Sequence, residues 1–184
     1  MWGTAASFAD VNNDGRLDLL ICGYDSPTLL YINTDRGFRE QSASYNIGFK
    51  GATSGAAFAD YDRDGDLDLF LVTERWIPSE SVDEVPMDHD DEERPRVKEQ
   101  YRQLNHLKKH RDGSFVAVPS GQYDHLFRND GGRFVDVTEE VGIGQYPYHG
   151  MAAVWWDYNN DQWPDIYVSN NFKDEEQLLS LIHI

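Results

Sequence analysis

The sequence has a single cysteine and few basic residues, and both shortages exclude classes of protein. Cys22 has no partner for a disulfide within the chain, and its place in an apolar run indicates a buried structural thiol. The 184 residues include 16 Lys and Arg against 33 Asp and Glu, which gives a net charge of −17. Because nucleic-acid recognition depends on basic side chains that neutralise phosphates, this charge argues against a nucleic-acid partner. The chain also lacks a Gly-rich phosphate-binding loop and any run of about 18 apolar residues that could span a membrane.

The acidic residues are concentrated in three nine-residue loops, at residues 10–18, 60–68 and 157–165. In each loop, positions 1, 3, 5 and 9 carry Asp or Asn, and position 6 is Gly in the first two loops. Calcium takes roughly 6–8 oxygen ligands, which alternate side chains and one main-chain carbonyl at position 7 can supply. The sequence therefore predicts three calcium sites. Their ligands are Asp10, Asn12, Asp14, Arg16 (carbonyl) and Asp18; Asp60, Asp62, Asp64, Asp66 (carbonyl) and Asp68; and Asp157, Asn159, Asp161, Trp163 (carbonyl) and Asp165.

The three loops are not equivalent. Loop 2 (residues 60–68) has Asp at positions 1, 3, 5 and 9, so we expect it to bind calcium most tightly. Loop 1 (residues 10–18) and loop 3 (residues 157–165) each have Asn at position 3. Loop 3 has Gln162 where the other loops have Gly, and we expect it to be the weakest site if that turn requires a positive φ.

Short β-rich segments surround each loop, which excludes an EF-hand between two helices. Small residues precede the loops at 5–9, 56–59 and 152–156, and apolar runs follow at 19–22, 69–72 and 166–168. Each loop is therefore predicted to be the turn of a β-hairpin. Further strand-like segments follow at 30–33, 126–129 and 134–138, so the repeat contains about four strands. Asp10 and Asp60 are 50 residues apart, a period typical of a propeller blade rather than of the shorter β-helix repeats.

These motifs resemble the FG-GAP/VCBS repeats of integrin-α-type β-propellers. The similarity rests on the three acidic loops, on Leu-Phe-Arg-Asn at 126–129 and on Phe-Val-Asp-Val-Thr-Glu-Glu-Val-Gly at 134–142. It covers roughly residues 2–178, apart from an insertion in the second repeat. Within this family, the motifs resemble those of the bacterial branch related to cartilage acidic protein. The resemblance implies an all-β fold, here a partial propeller of about two and a half four-stranded blades with calcium in the hairpin loops. It also implies export from the cell and a binding function rather than catalysis.

About 46 residues interrupt the second repeat, and we assign the insertion to residues 76–122. Val97, Tyr101, Leu104 and Leu107 have the spacing of one helix face, and Gly113 follows as a stop signal, so a mostly helical insertion is predicted. Residues 114–118 are expected to form a strand. The insertion is either a partner-binding flap above the propeller or a subdomain whose apolar stripe packs on the blade.

The last six residues, 179–184, read as a translation of a common transposase sequencing-adaptor end. We expect this tail to be a cloning or assembly scar rather than a native apolar strand.

The sequence favours a calcium-stabilised scaffold that is secreted, periplasmic or on the cell surface, where calcium is abundant. A protein or carbohydrate ligand is the expected partner, and the five Trp residues either stack on sugars or pack between blades. The alternative is the propeller module of a secreted polysaccharide- or lipid-processing enzyme whose catalytic part lies elsewhere. Within this chain no catalytic function is expected, because the clustered acids are already explained as metal ligands.

Overall fold

The computed structural model describes residues 2–75, 86–90, 93–98, 105–110, 112–119, 121–143, 149–170 and 179–182. Over these residues the fold is all-β and contains no helix, and therefore none that could span a membrane. All strand pairs are antiparallel, and the strands following each acidic loop lie where the apolar runs predict them. The all-β prediction is confirmed.

The first repeat forms a meander of four strands, here called unit 1. Each strand pairs with the next one along the chain. The strands are β1 (Trp2–Ala9), β2 (Asp18–Pro27), β3 (Leu29–Thr34) and β4 (Gly37–Glu40).

The second repeat, unit 2, has the same order but is interrupted after its second strand. Its four strands are β5 (Lys50–Ala59), β6 (Asp68–Thr73), β11 (His125–Asn129) and β12 (Phe134–Asp136). Strand β5 is shared: its first residues pair with the end of β2, and from Thr53 onward it pairs with β6. Units 1 and 2 are therefore joined into one continuous, propeller-like sheet of eight strands.

The third repeat, unit 3, is a separate sheet. It comprises β13 (Gly150–Trp156), β14 (Asp165–Asn170) and β15 (Leu179–Ile182). Strand β15 lies in the C-terminal tail and pairs with β14. This pairing describes the conformation of residues 179–182, and their origin as a scar stays a prediction.

The helical insertion predicted for residues 76–122 is wrong for the residues that the structure describes. They form two hairpins, β7 (Met87–His89) with β8 (Pro95–Val97) and β9 (Asn105–Lys109) with β10 (Phe115–Pro119). Val97 and Leu107 thus lie in strands, whereas Tyr101 and Leu104 lie outside the described residues. The expected strand over residues 114–118 is confirmed.

Turn chemistry explains why this pattern folds as a hairpin. Gly113 has a φ of 89° and follows Asp112, and the backbone N–H of His110 donates to the carbonyl of Ser114 at 2.8 Å. Asp-Gly is a strong hairpin signal, and the β-rich run after it requires a strand partner. The glycine interpreted as a helix stop is therefore the turn of a hairpin.

The core lies between the units. Strand β6 is completely buried, and its alternating side chains serve two apolar clusters. Leu69 and Leu71 pack with unit 1, whereas Phe70 and Val72 pack with Ile166 of unit 3. Each such side chain contributes roughly 1.5–3 kcal/mol on full burial, so packing between units stabilises the hairpins that carry the loops. Cys22 is fully buried in the first cluster, and burial raises its pKa to about 11, which confirms the predicted structural thiol.

Candidate metal sites in the acidic loops

The position-1 carboxylate closes the turn in all three loops. Its Oδ2 accepts a hydrogen bond from the backbone N–H of position 6. The bonds run from Gly15 to Asp10 (2.8 Å), from Gly65 to Asp60 (3.1 Å) and from Gln162 to Asp157 (2.9 Å). The position-5 carboxylate similarly accepts from the N–H of position 7, at 2.9 Å in each loop. These bonds fix two carboxylates of each loop against the backbone of a tight turn.

Two positions in each loop have left-handed backbone. Position 4 has φ between 56° and 64°, at Asn13, Arg63 and Asn160. Position 6 has φ of 83° at Gly15, 98° at Gly65 and 73° at Gln162. The turn therefore requires a positive φ at the position where loop 3 has a side chain, as the weak-site prediction assumed.

The position-9 carboxylates anchor the loops to the sheet. Asp18, Asp68 and Asp165 are almost fully buried at the start of β2, β6 and β14. In every loop one carboxylate oxygen accepts from the N–H of position 2, at Val11 (3.1 Å), Tyr61 (2.9 Å) and Tyr158 (2.9 Å). In loops 1 and 2 the other oxygen accepts from the N–H of an asparagine in a later strand of the same unit. The predicted position-9 ligand thus also has a structural role.

Those asparagines, Asn33 and Asn129, are site residues that reasoning from the ligand spacing missed. Their backbone N–H groups donate to Asp18 at 2.7 Å and to Asp68 at 2.8 Å. Each side-chain amide also donates to the position-8 carbonyl of its own loop, Leu17 or Leu67. The sequence signal for them is the Asn that ends both Leu-Tyr-Ile-Asn at 30–33 and Leu-Phe-Arg-Asn at 126–129.

Loop 2 differs from the others in a way that favours a cation. Asp60, Asp62 and Asp68 present carboxylate oxygens that lie within 4.8 Å of one another. Among the described residues, Asp60 Oδ1 is buried and has no hydrogen-bond donor. The same atom of Asp10 and of Asp157 accepts from the position-5 N–H at 3.0 Å. A buried carboxylate oxygen without a donor is costly unless a cation compensates it.

The position-3 residue strengthens this difference. In loops 1 and 3 the amide of Asn12 or Asn159 donates to the position-5 carboxylate, at 3.1 Å and 2.7 Å. In loop 2 the corresponding residue is Asp62, which has no such donor when ionised. In loops 1 and 3 an asparagine amide therefore offsets part of the negative charge of the position-5 carboxylate, and position 3 of loop 2 supplies no such amide.

Burial also acts on the loop 2 carboxylates. It raises the pKa of Asp68 to about 6, against the backbone hydrogen bonds from Asn129 and Tyr61 that lower it. Burial raises the pKa of Asp62 as well, and the neighbouring charges of Asp64 and Asp60 add to this shift. A bound cation would favour the ionised forms and remove this penalty.

Adjacent loops contact one another at their tips. The Asn13 amide at position 4 of loop 1 donates to Asp66 Oδ1 at position 7 of loop 2, at 2.7 Å. The Arg63 guanidinium at position 4 of loop 2 lies 5.2 Å from the ring centroid of Trp163 at position 7 of loop 3. Loop 2 thus contacts loop 1 through Asp66 and loop 3 through Arg63.

The tryptophans divide between packing and exposure. Trp155 packs between units, with its ring edge toward Phe70 and its Nε1 donating to the Ala57 carbonyl at 3.3 Å. Trp2 is 77% exposed, Trp156 47% and Trp163 44%. Trp76 lies outside the described residues. The described tryptophans are spread over three elements, and Trp156 stacks with Tyr158 and Tyr167.

Units 1 and 2 each have four strands with an acidic hairpin loop between the first two, and this repetition defines a propeller-like repeat protein. The family model described as FG-GAP-like repeat matches residues 2–71, which cover unit 1, β5, β6 as far as Leu71, and loops 1 and 2. Residues 2–71 therefore contain an FG-GAP-type repeat, and the resemblance to FG-GAP repeats is confirmed for this part of the chain. Comparison with curated proteins gives no match.

Proposed function

We propose that the chain is a calcium-stabilised binding scaffold that works outside the cell without catalysing a reaction. The observation that carries the proposal is Asp60 Oδ1, a buried oxygen with no donor among the described residues, beside the carboxylates of Asp62 and Asp68. An all-oxygen, acidic donor set at this spacing suits a hard cation of the calcium type. Calcium would supply positive charge that neutralises the clustered carboxylates and fixes the hairpin turn.

The ligand set follows the loop positions. In loop 2, calcium would be held by the side chains of positions 1, 3, 5 and 9 and by the position-7 carbonyl, which are Asp60, Asp62, Asp64, Asp68 and Asp66. The equivalent atoms of loops 1 and 3 complete three sites, and the three units would be blades of a propeller. The FG-GAP-type repeat over loops 1 and 2 supports this assignment.

A location outside the cell follows from the same chemistry. Calcium modules of extracellular proteins work at about 10⁻⁴–10⁻³ M, a concentration found outside the cell and not in the cytosol. The proposed sites are therefore loaded in a secreted, periplasmic or surface-attached protein. The bacterial cartilage-acidic-protein-like branch, proposed from the motifs, has this setting.

The proposed partner is a protein or a carbohydrate. Exposed aromatic rings, including Trp2 and Trp156, give the scaffold surfaces that can stack on sugars or pack against protein side chains. The net charge of −17 disfavours nucleic acid.

Calcium titration calorimetry on the 184-residue chain and on Asp60→Asn tests the proposal. We expect saturable calcium binding, with Asp60→Asn removing the tightest event because it weakens the ligand on which loop 2 depends. Glu139→Gln is the matched control, since it removes the same charge from an exposed residue outside the loops. No calcium binding to the native chain, or an equal loss in both variants, would refute a specific site in loop 2.

A further inference from the structure

We propose that loops 1 and 2 bind cations cooperatively and that the side chain of Asn129 transmits the coupling. The inference rests on the proposed calcium binding and adds to it a dependence of one site on its neighbour. It arises from a hydrogen-bond path that crosses the boundary between units 1 and 2.

The path is continuous and connects two position-9 carboxylates. Asp68 Oδ1 accepts from the backbone N–H of Asn129 at 2.8 Å. The Asn129 side-chain amide donates to the carbonyl of Val11 at 2.9 Å, although the two residues are 118 positions apart in sequence. The N–H of Val11 in turn donates to Asp18 Oδ2 at 3.1 Å. The first and last bonds of the path end on the predicted ligands Asp68 and Asp18. The middle bond joins the two residues whose N–H groups donate to those ligands.

Burial makes this path energetically significant. Asp68 and Asn129 are fully buried, Asp18 is 1% exposed and Val11 is 2% exposed. In such surroundings water cannot replace a lost bond, so each group keeps its partner or leaves a costly unpaired atom. The bond between Asn13 and Asp66 also joins the two loops, but both residues are at the surface, where water competes.

The coupling has a definite physical origin. A cation at loop 2 fixes the Asp68 carboxylate and with it the Asn129 backbone. The Asn129 amide then holds Val11, which is position 2 of loop 1 and orients Asp18. Because each cation orders elements that the other site also needs, the second cation binds to a partly ordered loop, which is positive cooperativity. Coupling between two sites is typically in the range of 5–150-fold and acts equally in both directions.

Unit 1 provides an internal control for the role of the asparagine. Asn33 occupies the same place and makes the same bonds within its own unit, to Asp18 and to the Leu17 carbonyl. Among the described residues, its amide has no recorded bond to a second acidic loop. Asn33→Ala and Asn129→Ala both remove the side-chain bond to the position-8 carbonyl of their own loop. Asn129→Ala also removes the bond from the Gly132 N–H to Asn129 Oδ1 at 2.8 Å, which lies within unit 2, and the bond to Val11, which joins the two loops.

The test is a set of calcium titrations in chains where loop 3 has been disabled by Asp161→Ala. Disabling loop 2 with Asp64→Ala, loop 1 with Asp14→Ala, or neither, gives the affinity of each site alone and of the pair. In the chain with loops 1 and 2 both intact, we expect the product of the two calcium association constants to be at least fivefold larger than the product of the association constants of the two sites measured separately. With Asn129→Ala this factor should fall to about one, whereas with Asn33→Ala or Asn13→Ala it should persist.

Two outcomes would overturn the inference. If Asn129 is native and the product of association constants is the same for the pair as for the separate sites, the two sites are independent. If Asn129→Ala leaves the ratio of these products unchanged, another route couples the sites. A chain that binds no calcium at any loop would instead refute the proposed function on which the inference rests.

A second measurement keeps Asn129 in place, so it does not depend on the stability of that variant. In the Asp14→Ala, Asp161→Ala chain only loop 2 binds calcium. The amide resonance of Val11 should shift in step with loop 2 occupancy, although loop 1 remains empty. A Val11 resonance that does not move on loading would contradict transmission through Asn129.

Discussion

Gln162 is the residue at which the three loops differ most in backbone cost. Its φ of 73° is a value that glycine adopts freely and that a residue with a Cβ adopts at a cost on the order of 1 kcal/mol. We therefore expect Gln162→Gly to tighten calcium binding at loop 3 by up to about tenfold, since 1.4 kcal/mol corresponds to a factor of ten. Calorimetry on a chain with loops 1 and 2 disabled measures this directly.

Gly15 offers the reverse experiment in loop 1. A Cβ added at Gly15 would meet no atom within 4 Å, so Gly15→Ala changes only the backbone preference at a φ of 83°. Gly15→Ala should weaken calcium binding at loop 1 by about the factor by which Gln162→Gly tightens calcium binding at loop 3. Unchanged affinity in both variants would show that the positive φ carries no cost for binding.

Asp124 is a partly buried carboxylate away from the loops, and it should make stability depend on pH. Its Oδ1 accepts from the N–H and hydroxyl of Thr73, and burial raises its pKa to about 6. The folded chain therefore binds this proton more tightly than the unfolded chain. The contribution of Asp124 to stability is fully present below its ordinary pKa near 4 and is lost as pH rises through 6.

Asp124→Asn removes this titration and retains an oxygen that accepts from Thr73. Relative to the native chain, the variant should gain unfolding free energy between pH 4.5 and 7.5, up to about 2–3 kcal/mol on the scale of 1.36 kcal/mol per pKa unit. Urea unfolding at both pH values measures the gain. Asp112→Asn is the control, because a hydrogen bond from Ser114 lowers the pKa of exposed Asp112 and no such gain should follow. If the difference in unfolding free energy between Asp124→Asn and the native chain does not change with pH, burial does not raise the pKa of Asp124.

Residue patterns predict what is local and miss what is distant. The hairpin turns at the acidic loops, the buried Cys22 and the positive φ at Gln162 follow from spacing over a few residues. The bridging role of Asn129 does not, because its partner Val11 is brought close only by the packing of two units. The orphaned oxygen of Asp60 was equally hidden, since loops 1 and 2 share the same position-1 residue.

At the scale of the element, the loops should differ in affinity in the order 2, 1, 3. Loop 2 has four carboxylates at positions 1, 3, 5 and 9, and its Asp60 Oδ1 has no donor within the described part of the chain. Loop 1 has an Asn and a Gly turn, and loop 3 has an Asn and the strained Gln162. More ligand charge generally raises calcium affinity. Among Asp14→Ala, Asp64→Ala and Asp161→Ala, only Asp64→Ala should remove the strongest event from the isotherm. If Asp14→Ala removes it instead, internal neutralisation by Asn12 does not weaken loop 1.

The hairpins of the insertion show where element prediction failed. Val97 and Leu107 fit a helical spacing, yet each lies in a strand of a different hairpin. A spacing of three and four residues does not exclude strands when a turn intervenes, and the Asp-Gly turn at 112–113 was the stronger signal. The strands on either side of the acidic loops were predicted correctly. A small-residue run before a turn and an apolar run after it fit few structures other than a β-hairpin.

At the scale of the whole molecule, calcium removal should lower stability. A cation that binds only the folded state at about 100 times its dissociation constant adds roughly 2.7 kcal/mol per site. Thermal melting in excess chelator should therefore occur well below melting in calcium. Magnesium should restore little of the difference, because it demands tighter octahedral geometry. Coincident melting curves in calcium and chelator would show the loops to be ordinary acidic turns.

The shared strand β5 has a mechanical consequence. Its backbone pairs with both β2 and β6, so units 1 and 2 are joined by a hydrogen-bonded ladder. Within the described residues, no strand ladder joins unit 3 to unit 2. Their contacts include the bonds from Trp155 Nε1 to the Ala57 carbonyl and from the Ser54 hydroxyl to the Gly150 carbonyl. Under a stretching force between the ends of the chain, unit 3 should detach first as a low-force event. Units 1 and 2 should then rupture together at higher force, because their shared ladder must break along its length.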